Sequence, residues 1–243
     1  YKNQTQFKDT SSFNYDFRFK SSGKNTTITR KDPIYPFVKI KNRVSVTTDF
    51  EAKNYKYWTY DWRMSFDKSS NYDTWDSKGY RKRFFKIAGS LFPSENIKIR
   101  TEFRIKKEKE WLNWIDSNHL ATYDLNQRII SLNLNWFKGV KHEIRLKSQF
   151  VALEAKRPKS LFTDINGVLF ESSKKVNPFS NGINSFQIRY KYEIAPLSNI
   201  YLVYTRGGEV YEEDDERSFS DIFNDPWKNP DNEIFSLKIR LKF

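Results

Sequence analysis

The side chains that could do chemistry in this 243-residue chain are mostly cationic, and the formal net charge is +13. Lys98, Arg100 and Arg104, then Arg145 and Lys147, then Arg189 and Lys191, and finally Lys238, Arg240 and Lys242 stand at even spacings in four separate segments. On an extended chain, such spacing puts each set on one face. A wall built from these sets makes a positive potential that attracts anions or an acidic partner segment. The competing reading is a solvated wall whose bases pair with nearby acids such as Glu102 and Glu193. Other reactive types are sparse. The absence of cysteine excludes disulfides, zinc thiolate sites and thiol nucleophiles. His119 and His142 are isolated and lack the spacing of metal ligands. The run Glu212, Glu213, Asp214, Asp215 and Glu216 could gather divalent cations that bridge lipopolysaccharide phosphates, although charge runs are usually solvated loop. No Ser, His and Asp arrangement stands out, and carboxylate pairs are too common in the loop segments to single out a dyad. No catalytic residue, metal or cofactor is expected.

The elements that carry these bases are strands. In NEIFSLKIRLKF, Phe235, Leu237, Ile239, Leu241 and Phe243 alternate with Ser236, Lys238, Arg240 and Lys242. The same period of two runs through SFQIRYKYEIAP, NIKIRTEFRIKK, IISLNLNWF, HEIRLKSQF and YWTYDWRMSF, and earlier through FNYDFRF and RVSVTTDF. About ten strands are expected, including segments near 79–92, 96–111, 119–137, 141–155, 184–194, 199–210 and 232–243. The stretch SSGKNTTITRKDPIYPF has no clear register. Short connections such as PSEN, FKGVK and APLS fall at one end, and long polar ones at the other, including DKSSNYDTWDSKG and GGEVYEEDDERSFSDIFNDPWKNPDN.

A mean hydropathy of −0.80 describes a polar protein, but strands with one apolar face average to that value. No run approaches the roughly 18 apolar residues of a membrane helix. A spanning strand needs only about 9 to 11 residues and leaves no hydropathy peak. Short turns at one end and long loops at the other are the pattern of transmembrane β-barrels. The bulky alternating residues, among them Trp58, Trp62, Trp136, Phe186, Tyr190 and Phe235, suit lipid contact and interfacial girdles. The expected fold is therefore all-β, an antiparallel up-and-down transmembrane barrel. Its lumen would be lined by Lys98, Arg100, Arg104, Arg145, Lys147, Arg189, Lys191, Lys238, Arg240 and Lys242, with Lys39, Lys41 and Arg63 also inward. A soluble β-sandwich would alternate too, but its inner faces would have to accommodate this many large aromatics. Basic strands with interleaved aromatics also suit single-stranded nucleic acid, yet that reading leaves the loop asymmetry and the terminal phenylalanine unexplained, so no nucleic acid is expected.

The segments LATYDLNQRIISLNLNWFKGVKHEIRLKSQFVALEA and SFQIRYKYEIAPLSNIYLVYTRGG, with the last strand, resemble the C-terminal barrel of a large outer-membrane family. Its members pair an N-terminal domain like a family-nine carbohydrate-binding module with a barrel of unassigned function. The likeness runs through Leu132, Asn133, Asn135, Trp136, His142, Glu143, Arg189, Tyr190, Tyr192, Pro196, Leu197, Tyr204 and Gly207. It implies a Gram-negative outer-membrane location, contact with lipid and lipopolysaccharide, and a carbohydrate ligand beside the anionic one that the basic wall already suggests. It also implies that Phe243 is read by the barrel-assembly machinery. The chain opens at Tyr1 and is read as the C-terminal part of a larger barrel, its first strands and any soluble module lying outside residues 1–243. The C-terminal half of a plugged, TonB-dependent type transporter is the alternative membrane reading.

Overall fold

The computed structural model describes residues 2–9, 11–30, 32–52, 55–70, 72, 76–213 and 217–242. Fourteen strands occur among the described residues, the alternating segments supplying the longer ones. They are β1 (Lys2–Gln6), β2 (Ser12–Lys20), β3 (Gly23–Asn25), β4 (Val38–Ile40), β5 (Arg43–Glu51), β6 (Trp58–Ser69) and β7 (Arg81–Ser94). Then follow β8 (Ile97–Asp116), β9 (His119–Lys138), β10 (His142–Thr163), β11 (Leu169–Glu171), β12 (Phe179–Ala195) and β13 (Ser198–Glu212). Helix α1 (Phe219–Lys228) precedes β14 (Asn232–Arg240).

Eleven strands lie side by side in the order β1-β2-β5-β6-β7-β8-β9-β10-β12-β13-β14, each antiparallel to the next, and β11 adds to β10. The fold is thus all-β and up-and-down. β1 and β14 do not pair with each other, so the sheet is open among the described residues. Strands β3 and β4 form a separate two-stranded sheet in the long connection after β2. This corrects the expectation for Lys39, which sits on β4 away from the main wall, while Lys41 follows β4 in a connecting segment.

Turn length separates the two ends of the sheet. Connections after β7, β9 and β12 span only two or three residues. Gly139 takes φ +58° in one of them, a conformation that a side chain disfavours. Longer connections follow β2, β6, β10 and β13 at the opposite end. The β8–β9 hairpin is the exception there. Its turn is tight, and the segment LNWIDSN, expected as a connection, continues both strands into a projecting ribbon. Glu110 and Arg157 both take φ +53°, at the points where β8 and β10 each slip one residue against β9. These bulges bend the flanking strands and shift their phase.

The two faces of the projecting part of β9 meet different cores. Leu120 packs with Leu161, Val38 and Leu169. Ala121 and Tyr123 pack with Ala155 and its neighbours Leu153 and Phe179. Away from this end, no second layer covers the apolar face of the sheet among the described residues.

Candidate functional site

Pairing registers assign the wall residues that lie within strands to a face. One lateral row reads Trp58, Leu91, Ile99, Leu134, Leu146, Ile188, Tyr204 and Phe235 across eight strands. Another reads Phe50, Trp62, Ile87, Phe103, Ile130 and Phe150. Trp136 and Tyr190 share a third row with Leu202 and Leu237, and Phe186 has the same parity. The side chains in these rows remain open to the surroundings: Trp58 is 42% exposed, Leu237 59% and Phe235 69%. Toward the short-turn end the rows become aromatic. Tyr55 stacks on Trp58 at 4.4 Å, and His142 stacks on Tyr192 at 4.9 Å while hydrogen-bonding the Tyr190 hydroxyl at 2.6 Å.

The opposite parity is polar. Its rows include Lys98, Asn135, Arg145, Arg189, Val203 and Ser236, and next to them Arg100, Asn133, Lys147, Gln187 and Thr205. Lys191 and Lys238 both oppose Tyr201, and Arg240 opposes Asn199, on this same face. Lys242 lies just past β14, where its backbone N–H donates to Ser198 Oγ at 3.0 Å. Phe243 lies outside the described residues. Recesses of about 440 and 400 Å³ open on this face.

Two ion-pair networks occupy the wall. In the first, Ala88 of β7 stands between Asp61 of β6 and Glu102 of β8 in one row. Its methyl group leaves a gap between two carboxylates that bases from the adjoining rows fill, because diagonal neighbours are within reach of long side chains. Lys86 Nζ lies 2.8 Å from Asp61 and 3.5 Å from Glu102. Arg100 reaches Asp61 at 2.7 Å, and Arg104 pairs with Glu102. In the second network, Arg145 and Arg189 face each other directly, and Glu143 bridges both, at 3.2 Å from Arg189.

The recess of about 440 Å³ lies between these networks. Ser131, Asn133, Lys147, Gln149, Ser185 and Gln187 supply its uncharged donors and acceptors and one ammonium group, alongside Arg100, Glu102 and Arg104 of the first network. Such a lining can hydrate, or hydrogen-bond directly, a polar solute that carries hydroxyl or anionic groups. Four of the ten wall bases, Arg100, Arg104, Arg145 and Arg189, are held in ion pairs. Lys98 lies over the Phe92 ring at 5.5 Å. Among the described residues no carboxylate pairs with Lys147, Lys191, Lys238 or Arg240. The unpaired bases of the wall therefore lie on the β10–β14 half, where Glu143, directly across from Lys191, and Glu193 are opposing charges on the same face.

His119 is buried with Nε2 2.8 Å from Ser160 Oγ, and no cluster of three or more metal-binding side chains occurs among the described residues. Of the acidic run, Glu212 ends β13 and Glu213 accepts from Asn177 Nδ2 at 2.7 Å, while Asp214, Asp215 and Glu216 lie outside the described residues.

A helix interrupts the segment expected to be polar loop. Ser218 caps α1, its Oγ accepting from the Asp221 N–H at 3.2 Å and donating to the Asp221 carboxylate at 2.7 Å. The Ser218 hydroxyl holds the Asp221 carboxyl below its ordinary range. The helix lies on the apolar face at the long-loop margin. Ile222 and Pro226 are buried, and Trp227 packs on Phe186 at 5.7 Å and on Phe150 at 6.1 Å. Gly182 and Gly208 form its seat, because a Cβ at either position would strike helix backbone. The signal was present in Ser218–Asp221 and in the apolar spacing of Phe219, Ile222, Phe223, Pro226 and Trp227.

No protein-family model matches this chain, and no curated protein matches it. No helix among the described residues is long and apolar enough to cross a membrane, a fact without bearing on strands.

Proposed function

We propose that this chain forms the wall of an outer-membrane β-barrel, with lipid against its apolar rows and an aqueous passage along its charged rows. The carrying observation is the uncovered apolar face. Trp58, Leu91, Phe235 and Leu237 are exposed in continuous rows, whereas a soluble sandwich would bury them under a second sheet. Dimensions agree with this reading. The apolar positions from Ile97 to Ile105 on β8 cover about 26 Å along the strand, and about 20 Å along the normal at the usual tilt. The aromatic margin at the short-turn end and Trp227 at the other correspond to girdles. In hydrocarbon the unpaired groups of β1 and β14 need partners, so the wall works as part of a closed ring completed by further strands. This is the reading that the family resemblance also favours.

The passage would serve polar solutes, with anions drawn to Lys147, Lys191, Lys238 and Arg240. The amide- and hydroxyl-rich recess suits hydroxylated molecules, including carbohydrates. Flotation with lipid vesicles after an alkaline wash tests the reading. The protein is expected to float with the vesicles and to aggregate when detergent is withdrawn; a monodisperse, detergent-free species that stays at the bottom of the gradient overturns it.

A further inference from the structure

We propose that the long-loop margin of the apolar face on β6, β7 and β8 is a docking site for phosphate-bearing lipid headgroups. The inference rests on the membrane reading above and adds a partner to it. Lys68, Arg81 and Lys109 oppose one another across the three strands in one lateral row. Arg83 and Lys107 oppose each other in the next row toward the band. Alternation along each strand gives all five the parity of Met64, Phe85 and Ile105, so they are on the apolar side.

These five side chains are exposed, and no carboxylate pairs with any of them among the described residues. The acids of the same strands serve the other face: Asp67 lies 3.7 Å from Lys82, and Glu108 3.1 Å from Lys106. Like charges directly opposed across strands destabilise a sheet. Here they are opposed twice in adjoining rows, an arrangement that a bound anion relieves. With strands about 4.8 Å apart and rows about 7 Å apart, the five charges fit a patch of about 10 by 7 Å, the scale of one or two phosphate groups.

A recess of about 290 Å³ adjoins the patch and includes Arg81 and Lys109 in its lining. Its carboxylates are already engaged. Glu110 accepts from Ser77 Oγ at 2.7 Å and from the Lys78 N–H at 2.6 Å, Asp124 pairs with Arg157, and Asp76 lies 3.8 Å from Lys159.

The height of the patch is fixed independently farther along the same apolar face. The row Met64, Phe85, Ile105 continues to Arg128, whose guanidinium lies 3.7 Å over the Phe219 ring of α1, and on to Gly182 in the seat of that helix. A tryptophan-bearing amphipathic helix on the apolar face marks the lipid–water boundary. The cations occupy the rows immediately beyond that level. Headgroup phosphates lie there while acyl chains cover Met64, Phe66 and Phe85, which favours a lipid over a free anion.

The test uses native mass spectrometry of the full chain in dodecyl maltoside with dioleoyl phosphatidic acid. Wild type is expected to retain phosphatidic acid at least tenfold over phosphatidylcholine. That preference should be lost in K68Q/R81Q/R83Q/K107Q/K109Q and reduced in the milder R83Q/K107Q, which carries the test if the fivefold variant does not fold. K147Q/K191Q, on the opposite face, should bind as wild type does. Equal retention by R83Q/K107Q, or displacement by equimolar inorganic phosphate, overturns the proposal. A detergent-requiring protein with no headgroup preference sinks this inference alone, whereas a detergent-free monomer sinks the membrane reading beneath it.

Discussion

Substituting Gly182 by alanine should displace α1. An ideal Cβ there would lie 2.1 Å from the Ile222 carbonyl oxygen and 2.9 Å from Pro226 Cγ. Pro226 has no N–H to return to that carbonyl, so the oxygen is turned onto the sheet without its usual helical partner. Both obstacles are parts of one helix, which must retreat by more than about 1 Å to regain ordinary contact. Overpacking of this kind costs about 1–3 kcal/mol. The ceiling is the docking energy of the helix, dominated by fully buried Ile222 at about 1.5–3 kcal/mol, with about 1 kcal/mol more from the aromatic contacts of Trp227. Gly208→Ala meets Pro226 O at 2.4 Å and Asn229 O at 2.9 Å, so it strains the same element. The two substitutions should therefore be non-additive: once the helix is off, the second methyl costs little. Gly23→Ala, with nothing within 4 Å, is the inert control. Hydrogen–deuterium exchange over 219–228 reads the outcome directly. Unchanged protection in Gly182→Ala, or a double variant costing the full sum, refutes the reasoning.

Other outcomes follow from the charged groups and the cap. Asp61→Asn leaves Glu102 as the remaining acid for Lys86 and Arg100 and should cost about 1 kcal/mol, read as a lower urea midpoint in detergent; an unchanged midpoint would show that the network contributes nothing to stability. His119 is buried in the projecting hairpin, and burial together with the nearby Lys174 ammonium lowers its pKa, against the opposing pull of Asp116. The unfolded hairpin thus takes up a proton first, and stability is lost as pH falls through the ordinary histidine value of about 6.5. Amide exchange over 112–123, corrected for intrinsic rate, should quicken between pH 7.5 and 5.5 in wild type and not in His119→Gln; equal behaviour of the two removes the histidine from the explanation. Ser218→Ala should weaken α1 by about 1 kcal/mol through the lost cap, again by exchange over 219–228, and full protection would show that tertiary packing alone holds the helix.

Period two was legible wherever one face is apolar and the other charged, as in β6, β8, β12 and β14. It failed where both faces are covered. In WLNWIDSNHLATYDL, Leu120 enters one core and Tyr123 another, so no polar face remains to reveal alternation. The bulges at Glu110 and Arg157 also shift phase, which turns Trp111 to the face of Tyr123 although simple counting from Ile105 gives the reverse. β1 is KNQTQ, a polar edge strand with no apolar residue to signal it. The charged wall was legible as a set of faces, but its networks were not. Asp61 meets Arg100 only through the registers of β6, β7 and β8, and Lys86 joins them through a gap that Ala88 leaves. Helix α1 had a cap and a spacing that could be read, hidden inside a long polar segment whose acidic run suggested loop.

The central claim is that hydrocarbon touches one parity of these strands and water the other. Because the chain has no cysteine, single cysteines can be placed at each position from 97 to 106 on β8 and spin-labelled in protein reconstituted into bilayers. Labels at 97, 99, 101, 103 and 105 are expected to collide preferentially with oxygen dissolved in the bilayer. Those at 98, 100, 102, 104 and 106 should collide with a water-soluble nickel chelate. A strict alternation supports the account; labels at 97, 99, 103 and 105 shielded from both reagents, as in a protein core, contradict it.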